Sequence, residues 1–280
     1  MNSQAEAERR RVDFRRQMDD REAAAPLRLL LLAAHPDDET IGASLLLARF
    51  PQTRVVYLTD GAPHDRRLWS PNVQGSREDY AKIRRREAQT ALANAGVARE
   101  HITCLGAVDQ EAIFEAARWA DIFVEMLNKH QSDIVVTHSY EGGHPDHDTA
   151  ALIARMALSR VTQESLLLEM TSYHARSGSC VTGKFLNADA NEIVCELSGE
   201  DCARKRRMMD EHASQRAVLE GFSIDSERFR SAPQYDFTKA PHAGRLWYEC
   251  MEWPMTGAQW RALAATAIRE MQECNATHSA

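Results

Sequence analysis

Five short apolar runs punctuate the first two-thirds of this 280-residue chain, and stretches of helical period separate them. They read "LRLLLLAA" (27–34), "TRVVYLTD" (53–60), "HITCLG" (101–106), "SDIVVTHS" (132–139) and "SLLLEMTSYH" (165–174). The first, second and fourth are almost unbroken in apolar character, as strands covered on both faces must be. Helical stretches fall at about 40–50, 78–95, 110–130 and 147–162, and Asn94-Ala95-Gly96 gives the second a glycine stop. Strand–helix alternation predicts an α/β, Rossmann-like fold: a mostly parallel sheet with helices on both faces. Beyond residue 190 the pattern loosens into an irregular or antiparallel extension. "NEIVCELS" (191–198) reads as a strand, about 200–220 as a helix, the aromatic "GRLWYECMEW" (244–253) as a strand, and about 257–274 as a last helix. No Pro/Gly/Ser-rich linker divides this span, so residues 26–280 read as one domain. Residues 1–25 read as a charged helical extension that packs on the body or on a neighbouring subunit.

Charge and cysteine usage remove several function classes. A net charge of −7 and a pI near 5.9 oppose a general nucleic-acid binder, which needs a basic face. No run approaches the eighteen or so apolar residues of a membrane span, and no secretory h-region opens the chain. The six cysteines contain no Cys-x-x-Cys pair, so a cysteine-based zinc site is not expected and free thiols in the cytoplasm are.

Two of the predicted strands end in the same tripeptide. His35-Pro36-Asp37-Asp38-Glu39 follows the first, and His144-Pro145-Asp146-His147-Asp148 follows the fourth. Pro-Asp follows a given histidine by chance on the order of 0.2% of the time in this composition. In an open parallel sheet, ligands bind at the carboxyl ends of strands, where these loops lie. Imidazole nitrogen and carboxylate oxygen suit zinc, and a catalytic zinc typically keeps three protein ligands and an open position. His35, Asp38 and His147 supply that set, although iron(II) also fits two histidines and a carboxylate. The proline after each histidine holds it extended, clear of the following helix. Those helices, expected to begin near Thr40 and Asp148, favour anionic ligands at their N-termini. Asp37 is then placed to act as general base. His144 is placed to protonate a leaving amine or to hold an oxyanion, with Asp146 bonded to its imidazole. Taken singly, Asp38 and Glu39 also read as ordinary first-turn acids.

"AHPDDE" followed about a hundred residues later by "HPDH" resembles the PIG-L/LmbE family of zinc-dependent N-deacetylases. The resemblance covers roughly residues 27–160. It implies hydrolysis of an N-acetyl or other N-acyl group on an amino sugar or its conjugate, a small-molecule substrate. It also implies metal ligands at His35, Asp38 and His147, a base at Asp37, and a catalytic His144 supported by Asp146. Weaker echoes are "TDGAPHD", a pocket-shaping loop, and the Arg-x-x-Glu spacing of Arg84 and Glu87, which equally suits an exposed helical ion pair. Asp109 in "LGAVDQEA" matches a sugar-contacting aspartate, or else a helix N-cap. One departure stands out: the position two before His144, a tyrosine in some members, is Gly142, and the nearest tyrosine is Tyr140. His174 and His242 are further candidates for an oxyanion donor.

The aromatic residues Tyr235, Phe237, Trp247, Tyr248 and Trp253 suit either sugar stacking or core and subunit packing. The basic "ARKRRMMDEHASQ" (203–215) reads as a solvated helix face. A nucleotide-binding enzyme is the alternative of another class, but it needs a glycine-rich turn where this chain places acids. A non-catalytic binding protein on the same fold is the third reading. A homo-oligomer stays open.

Overall fold

Alternate residues of β1 (Leu29–Ala33) face two different cores, as a period-two strand inside a covered sheet must. Leu30 and Leu32 join one core, and Leu29, Leu31 and Ala33 the other. Val56 and Leu58 against Val55 and Tyr57 repeat the division in β2 (Arg54–Thr59). The computed structural model describes residues 3–20, 22–23, 26–189 and 191–278. The remaining strands are β3 (Ile102–Ala107), β4 (Ile134–His138), β5 (Leu166–Met170), β6 (Tyr173–Arg176), β7 (Ser179–Thr182), β8 (Ile193–Glu196) and β9 (Ser226–Ser231). Seven form one sheet in the order β3-β2-β1-β4-β5-β9-β8, while β6 and β7 form a separate hairpin. The first five run parallel, and β9 and β8 add antiparallel.

Nine α-helices are described: α1 (Ser3–Asp19), α2 (Asp38–Arg49), α3 (Arg77–Ala93), α4 (Ala116–His130), α5 (Pro145–Leu158), α6 (Gly199–Glu211), α7 (Arg216–Leu219), α8 (Trp247–Cys250) and α9 (Gly257–His278). One core lies between the sheet and α4, α5 and α9; the other lies under α1, α2, α3 and α6. The charged N-terminal helix therefore packs on the body. Phe14 is wholly buried, stacks on Phe50 at 5.8 Å and meets Phe229 edge-on at 5.5 Å.

Three expectations are corrected. The run 165–174 is two strands, β5 and β6, broken at Thr171-Ser172. The aromatic 244–253 is not a strand: it holds α8, whose approach is fixed by Trp247 N–H donating to Gly142 O at 2.8 Å. The Glu249 carboxylate there accepts from Leu246 N at 2.9 Å and Gly257 N at 2.8 Å, which holds the turn closed. The basic helix is solvated on one side only: Arg206 and Arg207 are exposed, but Arg204, Lys205 and Met208 of α6 are buried.

Lys205 explains an irregularity in α2. That helix kinks at Ala43 (φ −146°, ψ 21°), and the backbone N–H of Leu45 beyond the kink donates to Glu227 Oε2 of β9 at 3.0 Å. Ser44 Oγ donates to Glu227 Oε1 at 2.6 Å; Lys205 Nζ donates to the same oxygen at 3.0 Å and to the Ile41 carbonyl at 2.6 Å. The carboxylate thus caps a half-helix while its charge is met by a lysine that is itself fully buried. Removing one partner of such a pair leaves an uncompensated buried charge. Lys205→Met should therefore cost about 3–5 kcal/mol, read from urea unfolding, and adding Glu227→Gln should recover part of that loss. An unchanged midpoint for Lys205→Met would refute this account of the kink.

Candidate active site

β1 and β4 are hydrogen-bonded neighbours, with Leu29, Leu30 and Leu31 paired to Ile134, Val135 and Val136. From this pair the strand order runs to β2 and β3 on one side and to β5 on the other, which makes it the switch point of the sheet. The two histidine motifs emerge side by side from its carboxyl end. Both helices start earlier than the sequence suggests, at Asp38 and Pro145. His144 is consequently the extended N-cap of α5 (φ −135°, ψ 141°), with proline in the first turn.

His35, Asp38 and His147 come together, each less than one-tenth exposed, with ligand-type atoms all within 4.8 Å of one another. His35 Nε2 lies 3.2 Å from Asp146 Oδ2 and 3.4 Å from Asp109 Oδ1, so its ring proton belongs there. Nδ1, 3.2 Å from Asp38 Oδ2, is then a free lone pair. His147 Nδ1 is 3.4 Å from Ser172 Oγ, and its Nε2 has no hydrogen-bond partner although it stands 3.1 Å from Asp38 Oδ1. Buried acceptors facing each other at that distance can share a cation. Two ligand atoms about 2.1 Å from one tetrahedral zinc ion stand roughly 3.4 Å apart, near the separations seen here, so the donor set fits a divalent metal with positions left open. The surrounding acids favour positive charge at this spot: burial opposes charge on His35, yet Asp109 and Asp38 outweigh it and hold the imidazole well above its usual range.

The other motif residues flank this set. Asp37 faces Arg84 (Nη2 to Oδ2, 3.1 Å), and Arg84 also donates to the carbonyls of Gly61 and Pro36 at 3.0 and 3.2 Å. Burial pushes the Asp37 carboxyl up to about 6 although Arg84 opposes it, which suits a group that takes up a proton. Arg84 and Glu87 form no surface ion pair: Glu87 instead accepts from Ser214 N and Oγ at 2.9 and 2.6 Å. The expected bond from the Asp146 carboxylate to His144 is also corrected, because Nδ1 of His144 is 3.8 Å from Oδ2. The backbone N–H of Asp146 donates to Nδ1 instead, at 3.1 Å. The Asp146 carboxylate serves His35 and accepts from Gln110 N (2.7 Å) and Ala112 N (3.2 Å). With Nδ1 occupied, the proton of a neutral His144 sits on Nε2; the Gln110 amide, whose nitrogen lies 2.7 Å away and whose Oε1 has no partner, must then turn its oxygen toward that proton to accept it. Asp109 caps no helix; its Oδ1 points at His35 and lies 3.8 Å from His144 Nε2.

The cavity around these groups measures about 450 Å³, and the chain beyond β5 supplies much of its wall: Tyr173, Gln215, Phe222, Trp247 and Trp253 line it. Trp253 meets His144 edge-on at 4.8 Å, and Tyr173 meets His147 edge-on at 5.2 Å. Gly143 permits this closeness, since a Cβ there would lie 2.0 Å from the Tyr173 carbonyl oxygen. Gly142 (φ +70°) likewise has no room beside Leu246. The remaining aromatics pack elsewhere. Tyr140 contacts Tyr235, Phe237 and Trp260, and its hydroxyl donates to Lys239 O at 2.8 Å, so it turns away from the cavity. His174, 3.5 Å from Glu141, and His242, 2.8 Å from Ala243 O, also lie off the cavity wall.

Sequence reasoning overlooked His138, Gln110 and Tyr173. His138 closes the apolar strand β4, which was the available signal. Its Nε2 accepts from Ala34 N–H at 3.0 Å, and its ring stacks on His147 at 4.0 Å, fixing the plane of that ring. Burial, followed by His147, lowers His138 to about 4, so it stays neutral. Gln110 adopts the left-handed φ of 75° at a strand end, which its glutamine identity does not announce.

The profile of the family described as "PIG-L: GlcNAc-PI de-N-acetylase" matches residues 30–158. A relative from Saccharopolyspora erythraea, 1D-myo-inositol 2-acetamido-2-deoxy-alpha-D-glucopyranoside deacetylase 1, is 29% identical over 173 residues, 49% of this chain. The match spans 55% of that protein, about half its length. Among solved structures, a deacetylase in the biosynthesis pathway of teicoplanin superposes with a TM-score of 0.55 at 17% identity, covering 74% of this chain and all of that one. The 4-carboxy-2-hydroxymuconate hydratase GalB of Pseudomonas putida KT2440 follows at 0.51 and 16%, over 75% of this chain and 98% of its own. These structural likenesses establish the fold, which carries more than one chemistry. Residues 30–158, which hold both histidine motifs and the strands that join them, are thus the part of this chain that matches the PIG-L family.

Proposed function

We propose that the protein is a metal-dependent N-deacetylase that hydrolyses the N-acyl bond of an amino sugar or its conjugate. One observation carries the reading: three buried lone-pair donors, His35, Asp38 and His147, converge with Asp37 and His144 beside them at one sheet edge. The family match and the sugar deacetylase relative support the substrate class.

His35, Asp38 and His147 would hold zinc, or another divalent ion such as iron(II). When bound, the ion supplies Lewis acidity toward water and the acyl oxygen. The remaining work falls to the chain. Asp37, held by Arg84, takes the proton from the attacking water, and then holds the proton that the departing nitrogen needs. His144 presents Nε2–H as a donor to the charge that builds on the acyl oxygen or on that nitrogen. Asp146 keeps the ring proton of His35 on Nε2 and so leaves Nδ1 free for the ion. Asp109 and Gln110 offer polar groups at the height of a sugar ring. Trp253 and Tyr173 close the cavity against water.

Two outcomes are expected. Asp37→Ala should lower kcat by about 10²–10⁴-fold on an N-acetyl amino sugar substrate while metal content by elemental analysis stays at the wild-type level. A fully active variant would end the general-base assignment. His147→Ala and Asp38→Asn should both lose the bound ion as well as turnover, and removal of metal with a chelator should abolish amine release until zinc is returned. Undiminished activity after chelation would reject metal dependence.

A further inference from the structure

A second cavity, of about 510 Å³, opens on the far side of Asp109 and Gln110. It shares Pro63, Leu68, Asp109 and Gln110 with the catalytic cavity, so the two are halves of one trough divided by a polar sill. Beyond the sill the walls are chiefly apolar: Leu68, Phe114, Pro254, Met255, Ala262 and Leu263. Phe114 is 60% exposed at the rim, a large apolar ring left facing water.

The charges around this annex are already committed. Glu111 holds His64 at 2.7 Å, and Asp65 holds Arg67. Neither lysine nor arginine lines the annex among the described residues, and in the catalytic cavity the one such cation, Arg84, is engaged by Asp37. A phosphate or nucleoside diphosphate on the substrate would therefore meet acids without a counter-charge. An alkyl or aryl group would meet apolar surface that it can remove from water.

Resting on the deacetylase reading above, we propose that the substrate is a neutral amphipathic glycoside of an N-acylated amino sugar, with its sugar over the Asp109–Gln110 sill and its apolar aglycone in the annex. The sill places hydroxyl-binding groups between the reacting bond and the annex, which suits an aglycone and leaves an acyl chain on the metal side. Trp253 carries the trough onward, since it packs on His144 and is followed directly by Pro254 and Met255 of the annex wall.

The test compares methyl and octyl glycosides of N-acetylglucosamine, the uridine diphosphate sugar and N-octanoylglucosamine, by amine release from the metal-loaded enzyme. Calorimetric binding of the octyl glycoside is measured in parallel. The octyl glycoside should exceed the methyl in kcat/KM by about 10- to 100-fold, and the nucleotide sugar should show no such gain. Phe114→Asp, at an exposed site that folding tolerates, and Leu263→Gln should each remove most of the octyl advantage and leave the methyl rate unchanged. Equal rates for the two glycosides would overturn the proposal, as would a gain from the N-octanoyl group alone or unaltered octyl binding in both variants. If no sugar releases amine but both variants weaken octyl binding, the annex stands and the deacetylase reading falls.

Discussion

The parallel pairing of β1 with β4 is the contact on which the rest depends. His35 is the fourth residue after Leu31, the last paired residue of β1, and His144 the eighth after Val136 of β4, so small changes of register would part the two motifs. Below the pairing, Asp133 accepts from the Arg28 backbone N–H at 2.9 Å and from its guanidinium at 3.0 Å, clamping the two strands at their start. Above it, Ala34 N–H reaches across to His138, and Thr137 Oγ1 donates to Leu32 O at 2.9 Å. Register is thereby fixed at both ends of a five-residue strand, and side chains more than a hundred positions apart meet within one hydrogen-bond length.

The parallel half of the sheet was legible because its strands are doubly covered and therefore apolar throughout. The motifs were legible because strand, histidine and proline come in a fixed order. β9 was not, and the cause is electrostatic: its inward positions Glu227 and Arg230 are buried charges whose partners, Lys205 and Glu169, lie on other elements. A strand that buries ion pairs shows no hydrophobic alternation. The aromatic segment 244–253 failed in the opposite sense, since side chains suited to strands serve there to wall a cavity from a short helix and turns. The roles of Asp146 and Arg84 needed three dimensions. Nothing in the sequence says that a backbone N–H, and not a carboxylate, meets His144, or that an arginine on α3 turns inward to Asp37.

Around the reacting groups the chain concentrates four carboxylates, Asp37, Asp38, Asp109 and Asp146, against one arginine. Three of these acids are answered individually: Asp37 by Arg84, Asp146 by two backbone N–H groups and His35, Asp38 by the His35 backbone N–H at 2.7 Å; Asp109 Oδ1 faces His35 Nε2 at 3.4 Å. What these bonds leave over is one unmet demand for positive charge, centred on Asp38 and the two free imidazole nitrogens. Burying unpaired charge is costly, and the metal proposed for this site would meet that cost.

The kink of α2 bears on where this protein divides. The span shared with the family ends at residue 158, yet the helix that begins with Asp38 is broken, capped and neutralised by Glu227 and Lys205. The region recognisable by descent is thus shorter than the region able to fold. A fragment cut after α5 would keep every motif residue and lose the carboxylate that accepts from Leu45 N–H, the lysine that donates to Ile41 O, and the antiparallel strands beside β5. Grafting the two motifs onto another scaffold would meet the same obstacle, because the helix that begins with Asp38 is finished by the last third of the chain.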